Sequence, residues 1–317
     1  MIAILDYERE ALQFINESLG ISDSCQNEAN KMLNTLVQSW KTYGTKIASK
    51  PSYLTVWEGT INDFVCFDKQ VPIKYRLFNF ANKECYRSEL NKGTLNNEEC
   101  SFKFDTDTED MWFELDVIAI SGVIDKSQFI KNCCHEMFHC YTHIMGGRIS
   151  PKRQSVYNMA LDSIESFTKD PEGSNEVDNI IGICVYTIDP EEVKARCHEL
   201  YAEFANKRKR KTPSSILEVI YNSEYYNTLK NIKYIFKEAF PTEEEYKEKS
   251  KFYNKLHIPY KKIRQEITNG IKNCEWEMGR TVTKIIDDFN LKQVPQNIFT
   301  WKDIKDPLTR LAATLRR

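Results

Sequence analysis

The spacing of apolar positions changes character four times along the chain. Leu12, Phe14, Ile15 and Leu19, then Met32, Leu33, Leu36, Val37 and Trp40, recur at helical intervals. They predict two amphipathic helices within about 1–45, with Gly20 ending the first. From Tyr53 to Phe80 the period shortens. Tyr53–Trp57, Phe64–Phe67 and Ile73–Phe78 are β-branched and aromatic runs broken by Gly59 and Pro72, and they predict short strands. Residues 81–100, rich in Asn and Glu and without a period, predict a loop before Ser101–Phe104 and Met111–Ser121 resume strand character. The sheet therefore spans about 50–121. Gly122–Asp125 closes the last strand and supplies Asp125 as N-cap of a helix over about 125–145, stopped by Gly146 and Gly147. Helices follow over about 152–167, 175–187 and 190–210, the last opened by Pro190 behind Asp189. Beyond Pro213 only helical periods occur, over about 214–239, 242–256 and 260–290. The class is α+β with a small mixed or antiparallel sheet. The one boundary lies near 212, between a domain of 1–212 and a mostly helical extension of 213–317. In that extension Ile263, Ile267, Ile271, Trp276, Met278, Val282, Ile285, Ile286 and Phe289 form a stripe that must be buried.

Composition narrows the partners. The 44 Lys and Arg balance 46 Asp and Glu, for a net charge of −2, which argues against whole-protein attraction to nucleic acid or an anionic membrane. The basic run Lys207–Lys211 reads as a solvated helix end whose cations complement the dipole rather than as a nucleic-acid contact. Charges at Asp6, Glu8, Arg9 and Glu10 interrupt any signal-type stretch, and no apolar run approaches the ~18 residues of a membrane span. These features predict no membrane partner and a cytoplasmic location. Ten cysteines without a CxxC pair predict reduced, mostly buried thiols.

The stretch with chemistry is His135-Glu136-Met137-Phe138-His139, inside the expected helix. Residues four apart share a helix face, so His135 and His139 can present two imidazoles to one tetrahedral Zn2+ while Glu136 reaches an activated water. With 5 histidines in 317 residues, chance yields this pattern about 0.01 times, so it is a specific signal for metal-assisted hydrolysis. His143 extends the spacing, but its Cα lies ~12 Å along the helix from that of His135, too far for both to meet one ion. Position 145, where one related spacing places a third histidine, is Met145. Cys133, Cys134 and Cys140 flank the histidines among apolar positions and read as core.

A catalytic zinc needs a third protein ligand and one open position. The first candidate is Glu192, in the opening turn of the helix behind Asp189. It is followed three residues on by Ala195, small enough for close helix approach. Glu199, which precedes Ala202 at the same spacing, is the second. Glu191, Glu165, Asp162, Glu203 and His198 stay open as ligand-type residues. A donor to stabilise an oxyanion is also expected, among Tyr201, His198, Tyr186 and Tyr157.

The strand, the His135-Glu136-x-x-His139 helix and the later Glu-x-x-Ala helix together resemble the gluzincin branch of the zincin metallopeptidases. Asp116–Asp125, the zinc helix and Tyr186–Ala195 with Tyr201 look like the compact metallopeptidase-like proteins encoded by gut bacteriophages, a similarity covering about residues 50–210. The resemblance implies a zincin-like fold, zinc held by His135, His139 and Glu192, and Glu136 as general base. It also implies peptide or protein substrates, residence in the host cytoplasm, and strand 111–121 as the cleft edge that pairs with an extended peptide, while the run Val117–Ile120 fits a buried central strand equally well. Two other readings stand beside this endopeptidase. One is a non-catalytic phage assembly or host-interaction protein on the same scaffold. The other is a DNA-associated metalloprotease using the basic run.

Overall fold

The computed structural model describes residues 21–43, 53–92, 99–105, 108–145, 151–206 and 213–291. The first expected helix, the Gly146-Gly147 stop and the basic run 207–211 lie outside these. The fold is α+β with a small mixed sheet. It divides into two compact units, which among the described residues are 21–145 with 205–206, and 151–204 with 213–291. The division thus falls earlier in the chain than the seam expected near 212, and it groups residues 151–204 with the later helices.

The first unit holds helix α1 (Ile21–Tyr43), strands β1 (Leu54–Ile61), β2 (Val65–Cys66), β3 (Lys69–Gln70) and β4 (Ile73–Phe80), then helix α2 (Lys83–Asn91). Strands β5 (Glu99–Phe104), β6 (Met111–Ile120) and β7 (Val123–Ile124) and helix α3 (Lys126–Ile144) complete it. The main sheet runs β1-β4-β6-β5 with β7 on β6; β4 and β6 are parallel and the other pairs antiparallel. Strand β6 is therefore interior, flanked by β4 and β5, and the expectation that residues 111–121 form the cleft edge is overturned. Its backbone groups are taken on both sides, and β5 is the outer strand. The two-residue turn from β6 to β7 places Ser121 at φ 53° and Gly122 at φ 77°, left-handed geometry that a hairpin of this length requires. The buried Asn79 side chain accepts from the Gly122 N–H at 2.9 Å and holds that turn beside the start of α3.

One sheet face, with Ile73, Leu77, Phe113, Leu115 and Val117, is buried. Helices α1 and α3 pack together, and sulfur fills the joints: Cys133 Sγ lies 3.9 Å from Met32 Sδ, and Cys66 Sγ lies 3.4 Å from Met137 Sδ. Helix α2 corrects the loop expected over 81–100. Its N-cap Asn82 accepts from the N–H groups of Glu84 and Cys85, and it buries no residue fully, so no apolar stripe announces it.

The second unit is helical: α4 (Pro151–Lys169), α5 (Glu176–Thr187), α6 (Pro190–Ala205), α7 (Pro213–Asn222), α8 (Glu224–Glu238), α9 (Glu243–Lys249), α10 (Lys251–Asn254) and α11 (Tyr260–Asp288). The continuous helices expected over 214–239 and 242–256 are each broken, at Ser223 and Ser250, whose side chains cap α8 and α10. Helices α4 and α5 approach closely at Gly182, where a Cβ would lie 3.0 Å from the Ala160 carbonyl oxygen. On α11 Ile263, Ile267, Ile271, Met278, Val282 and Ile285 are buried as the period demands, whereas Trp276, Ile286 and Phe289 of the expected stripe are half-buried. Among the described residues, no helix is long and apolar enough to cross a membrane.

Candidate metal centre

Helix α3 starts where Asp125 accepts from the N–H groups of Ser127 and Gln128, at 3.0 and 3.3 Å. From that fixed start, Phe129, Ile130, Cys133, Cys134, Met137 and Phe138 turn into the core, and His135, Glu136 and His139 fall on the half-buried side. The imidazoles of His135 and His139 meet edge to face, with ring centroids 5.0 Å apart and their Nε2 atoms 3.2 Å apart. Two nitrogens bound at ~2.0–2.1 Å to one tetrahedral ion are separated by ~3.3 Å. The pair thus stands close to the spacing a zinc ion imposes.

Glu136 points toward β5, where its Oε2 accepts the backbone N–H of Phe102 at 2.8 Å. One carboxylate oxygen is anchored on the outer strand, which orients the other. His143, two turns after Glu136, packs on the same strand: its ring centroid is 3.9 Å from that of Phe104 and 5.8 Å from that of Phe102. Burial lowers its pKa, favouring the neutral ring. It takes no part in the ligand group, in line with the helix rise.

Helix α6 is buried along most of its length, and Glu192, in its first turn, is 3% exposed. Asp189 caps the helix by accepting from the Glu191 N–H at 2.9 Å. Arg153 on α4 clasps that cap through Nε and Nη2, at 3.1 and 2.6 Å. One turn along α4, the Tyr157 hydroxyl donates to Glu192 Oε1 at 2.9 Å. Burial, then the neighbouring Glu192 carboxylate, pushes the Tyr157 hydroxyl well above its ordinary range, so it stays protonated and donating.

Among the described residues, His135, His139 and Glu192 form the group able to hold a metal ion, with ligand atoms all within 4.8 Å of one another. Two imidazoles and a carboxylate are a donor set of the kind that divalent metal ions such as zinc accept. None of the other ligand candidates joins this group. Glu191 approaches Arg153, Glu165 pairs with Lys169, Asp162 is exposed, and Glu199, Glu203 and His198 lie further along α6. The oxyanion candidates fare similarly. The Tyr157 hydroxyl is committed to Glu192 and that of Tyr201 to Asp288 at 2.6 Å, while Tyr186 stacks on Tyr157 and His198 is buried in α6.

Sequence reasoning missed three supports: the Phe102 N–H on Glu136, the Arg153–Asp189 clasp and the Tyr157–Glu192 bond. Arg153 and Tyr157 stand four apart, which puts two donors on one face of α4. Nothing in the sequence says which acids they meet. In comparisons with family models, curated proteins and solved structures, none matches this chain, so the functional reading rests on its own residues.

Proposed function

We propose that the chain is a zinc-dependent peptidase, acting as an endopeptidase, with His135, His139 and Glu192 as ligands and Glu136 as general base. The observation that carries it is the convergence of the two Nε2 atoms, 3.2 Å apart, with a buried carboxylate from 53 residues downstream in one group able to hold a metal. When bound, zinc supplies a Lewis acid that polarises a carbonyl and brings the pKa of a water toward ~7.

The chain's residues divide the remaining work. Glu136 is not a member of the ligand group, so its carboxylate is available for proton transfer. With Oε2 held by Phe102, Oε1 accepts the proton of the attacking water and later delivers it to the departing amine. Strand β5 is the outer strand of the sheet, and residues 100, 102 and 104 direct main-chain groups away from β6. An extended substrate added there would run beside Glu136 and pair with outward main-chain groups other than the Phe102 N–H, which Glu136 takes. That geometry supports a peptide substrate over a small ester or phosphate.

The test is hydrolysis of a broad peptide library by the zinc-loaded chain, with and without 1,10-phenanthroline, beside Glu136→Gln. Chelator-sensitive cleavage that vanishes in Glu136→Gln is the expected result. A zinc-loaded protein that cleaves nothing would favour the non-catalytic reading.

A further inference from the structure

The geometry points to Tyr157 as a positioning residue for the metal centre: its hydroxyl holds one oxygen of Glu192 so that the carboxylate ligates through the other. This rests on the reading of Glu192 as a ligand. The bond from Tyr157 to Glu192 Oε1 is 2.9 Å long and lies where Glu192 is 3% exposed, so water competes little for either group. A phenol hydroxyl that donates to a carboxylate favours the ionised form, which is also the form that binds a metal.

Tyr157 does not act alone on α6. One turn earlier on α4, Arg153 grips Asp189 through two nitrogens, and Asp189 caps α6 at the Glu191 N–H. Successive turns of α4 therefore hold α6 at residues 189 and 192. The lower contact sets where the helix begins, and the upper one sets how the ligand side chain is turned. Tyr157 is itself braced by Tyr186, whose ring centroid lies 5.8 Å away. A merely structural hydrogen bond would steady the unit and leave metal affinity alone. A positioning bond must change how tightly the ion is held, because partners that orient a ligand typically contribute ~10–100-fold to metal affinity.

The deciding experiment measures zinc affinity by competition with a chromophoric chelator for wild type, Tyr157→Phe, Glu192→Ala and Tyr201→Phe. The visible absorption of the Co2+-loaded proteins serves as a second readout. Tyr157→Phe is expected to bind zinc about 10–100-fold more weakly and to shift the cobalt bands. Tyr201→Phe, which removes a part-buried hydroxyl donor to Asp288 in the same unit, should leave both unchanged. Wild-type affinity and spectrum in Tyr157→Phe, with zinc lost from Glu192→Ala, would overturn the positioning role and leave the ligand assignment standing. Wild-type affinity in Glu192→Ala would overturn the ligand assignment itself. An equal loss in Tyr201→Phe would assign the effect to general loosening and so overturn the inference. If Tyr157→Phe does not yield soluble protein, Tyr157→Met is a second donor-free variant read by the same outcomes.

Discussion

Helices α3 and α6 both carry ligand-type residues, and they are held in opposite ways. On α3 the geometry is local. The repeat of the helix brings His135 and His139 to one face, and a single cap at Asp125 fixes where that repeat begins. On α6 the candidate ligand is one carboxylate in the first turn, and nothing within the helix aims it. Arg153 and Tyr157 of α4 do so, while further along Lys194 faces the charge of Glu277 on α11. Burial raises the Glu277 carboxyl, and it lowers the Lys194 ammonium to about 8. A motif that makes its own geometry depends on few neighbours, whereas a ligand placed by its surroundings depends on many.

The sharpest break in that comparison would come from chemistry on α3. Glu136→Gln should lower kcat/KM for peptide cleavage by on the order of 10³-fold, with zinc affinity unchanged. Steady-state kinetics beside a chelator titration check both parts, and cleavage at the wild-type rate would remove Glu136 from the base role. The next largest effect is on metal binding. His139→Ala and Glu192→Ala should each weaken zinc by more than the ~10–100-fold due to a supporting group, and Glu199→Ala should change nothing. Zinc retained by Glu192→Ala but lost from Glu199→Ala would move the third ligand two turns along α6.

How far the sequence revealed these features follows the same division. The helix with His135, Glu136 and His139, its cap at Asp125 and the buried stripe of α11 depend on short-range periods, and all could be read from spacing. Helix α2 could not, because it buries no residue fully and stands on the Asn82 cap instead of an apolar face. The breaks at Ser223 and Ser250 escaped notice because a serine inside an apolar pattern is neutral until its side chain is seen to cap the next turn. Strand β6 showed no clear alternation because Val117, Ile118 and Ala119 are all buried, and such a run fits a buried central strand as well as an edge, so spacing alone left its place undecided. Glu192 could be proposed from its position after Pro190, but its partner Tyr157 lies 35 residues away with no pattern joining them.

Stability gives a third test. Arg153→Ala removes a two-point clasp and leaves the buried Asp189 carboxylate with less support. It should cost about 2 kcal/mol in chemical denaturation. Asp125→Ala, which removes the cap of α3, should cost about 1 kcal/mol. A larger loss from Asp125→Ala would reverse the contrast and make α3 the helix that depends more on its support.

The smallest expected effect concerns a buried acid remote in role from either ligand helix. Asp178 on α5 is 1% exposed, and its Oδ1 accepts from the Ser250 hydroxyl and the Lys251 N–H, both at 2.9 Å. It thereby ties the break between α9 and α10 to α5. Its Oδ2 is buried without a hydrogen-bond partner, and burial raises its pKa above the ordinary 3.8 in spite of those two donors. Because the folded chain holds this proton more tightly than the unfolded one, the stability due to protonation is fully present below pH 3.8. It is lost as pH rises through the raised folded value. Asp178→Asn keeps an oxygen for both donors and removes the buried charge. It should therefore be neutral or stabilising by less than about 1 kcal/mol at pH 7, and it should remove this residue's share of the pH dependence at acid pH. Urea melts of both proteins from pH 4 to 7 check this. A loss comparable to that of Asp178→Ala, about 1–3 kcal/mol, would mean that the charge itself, and not the acceptor, holds Ser250 and Lys251 in place.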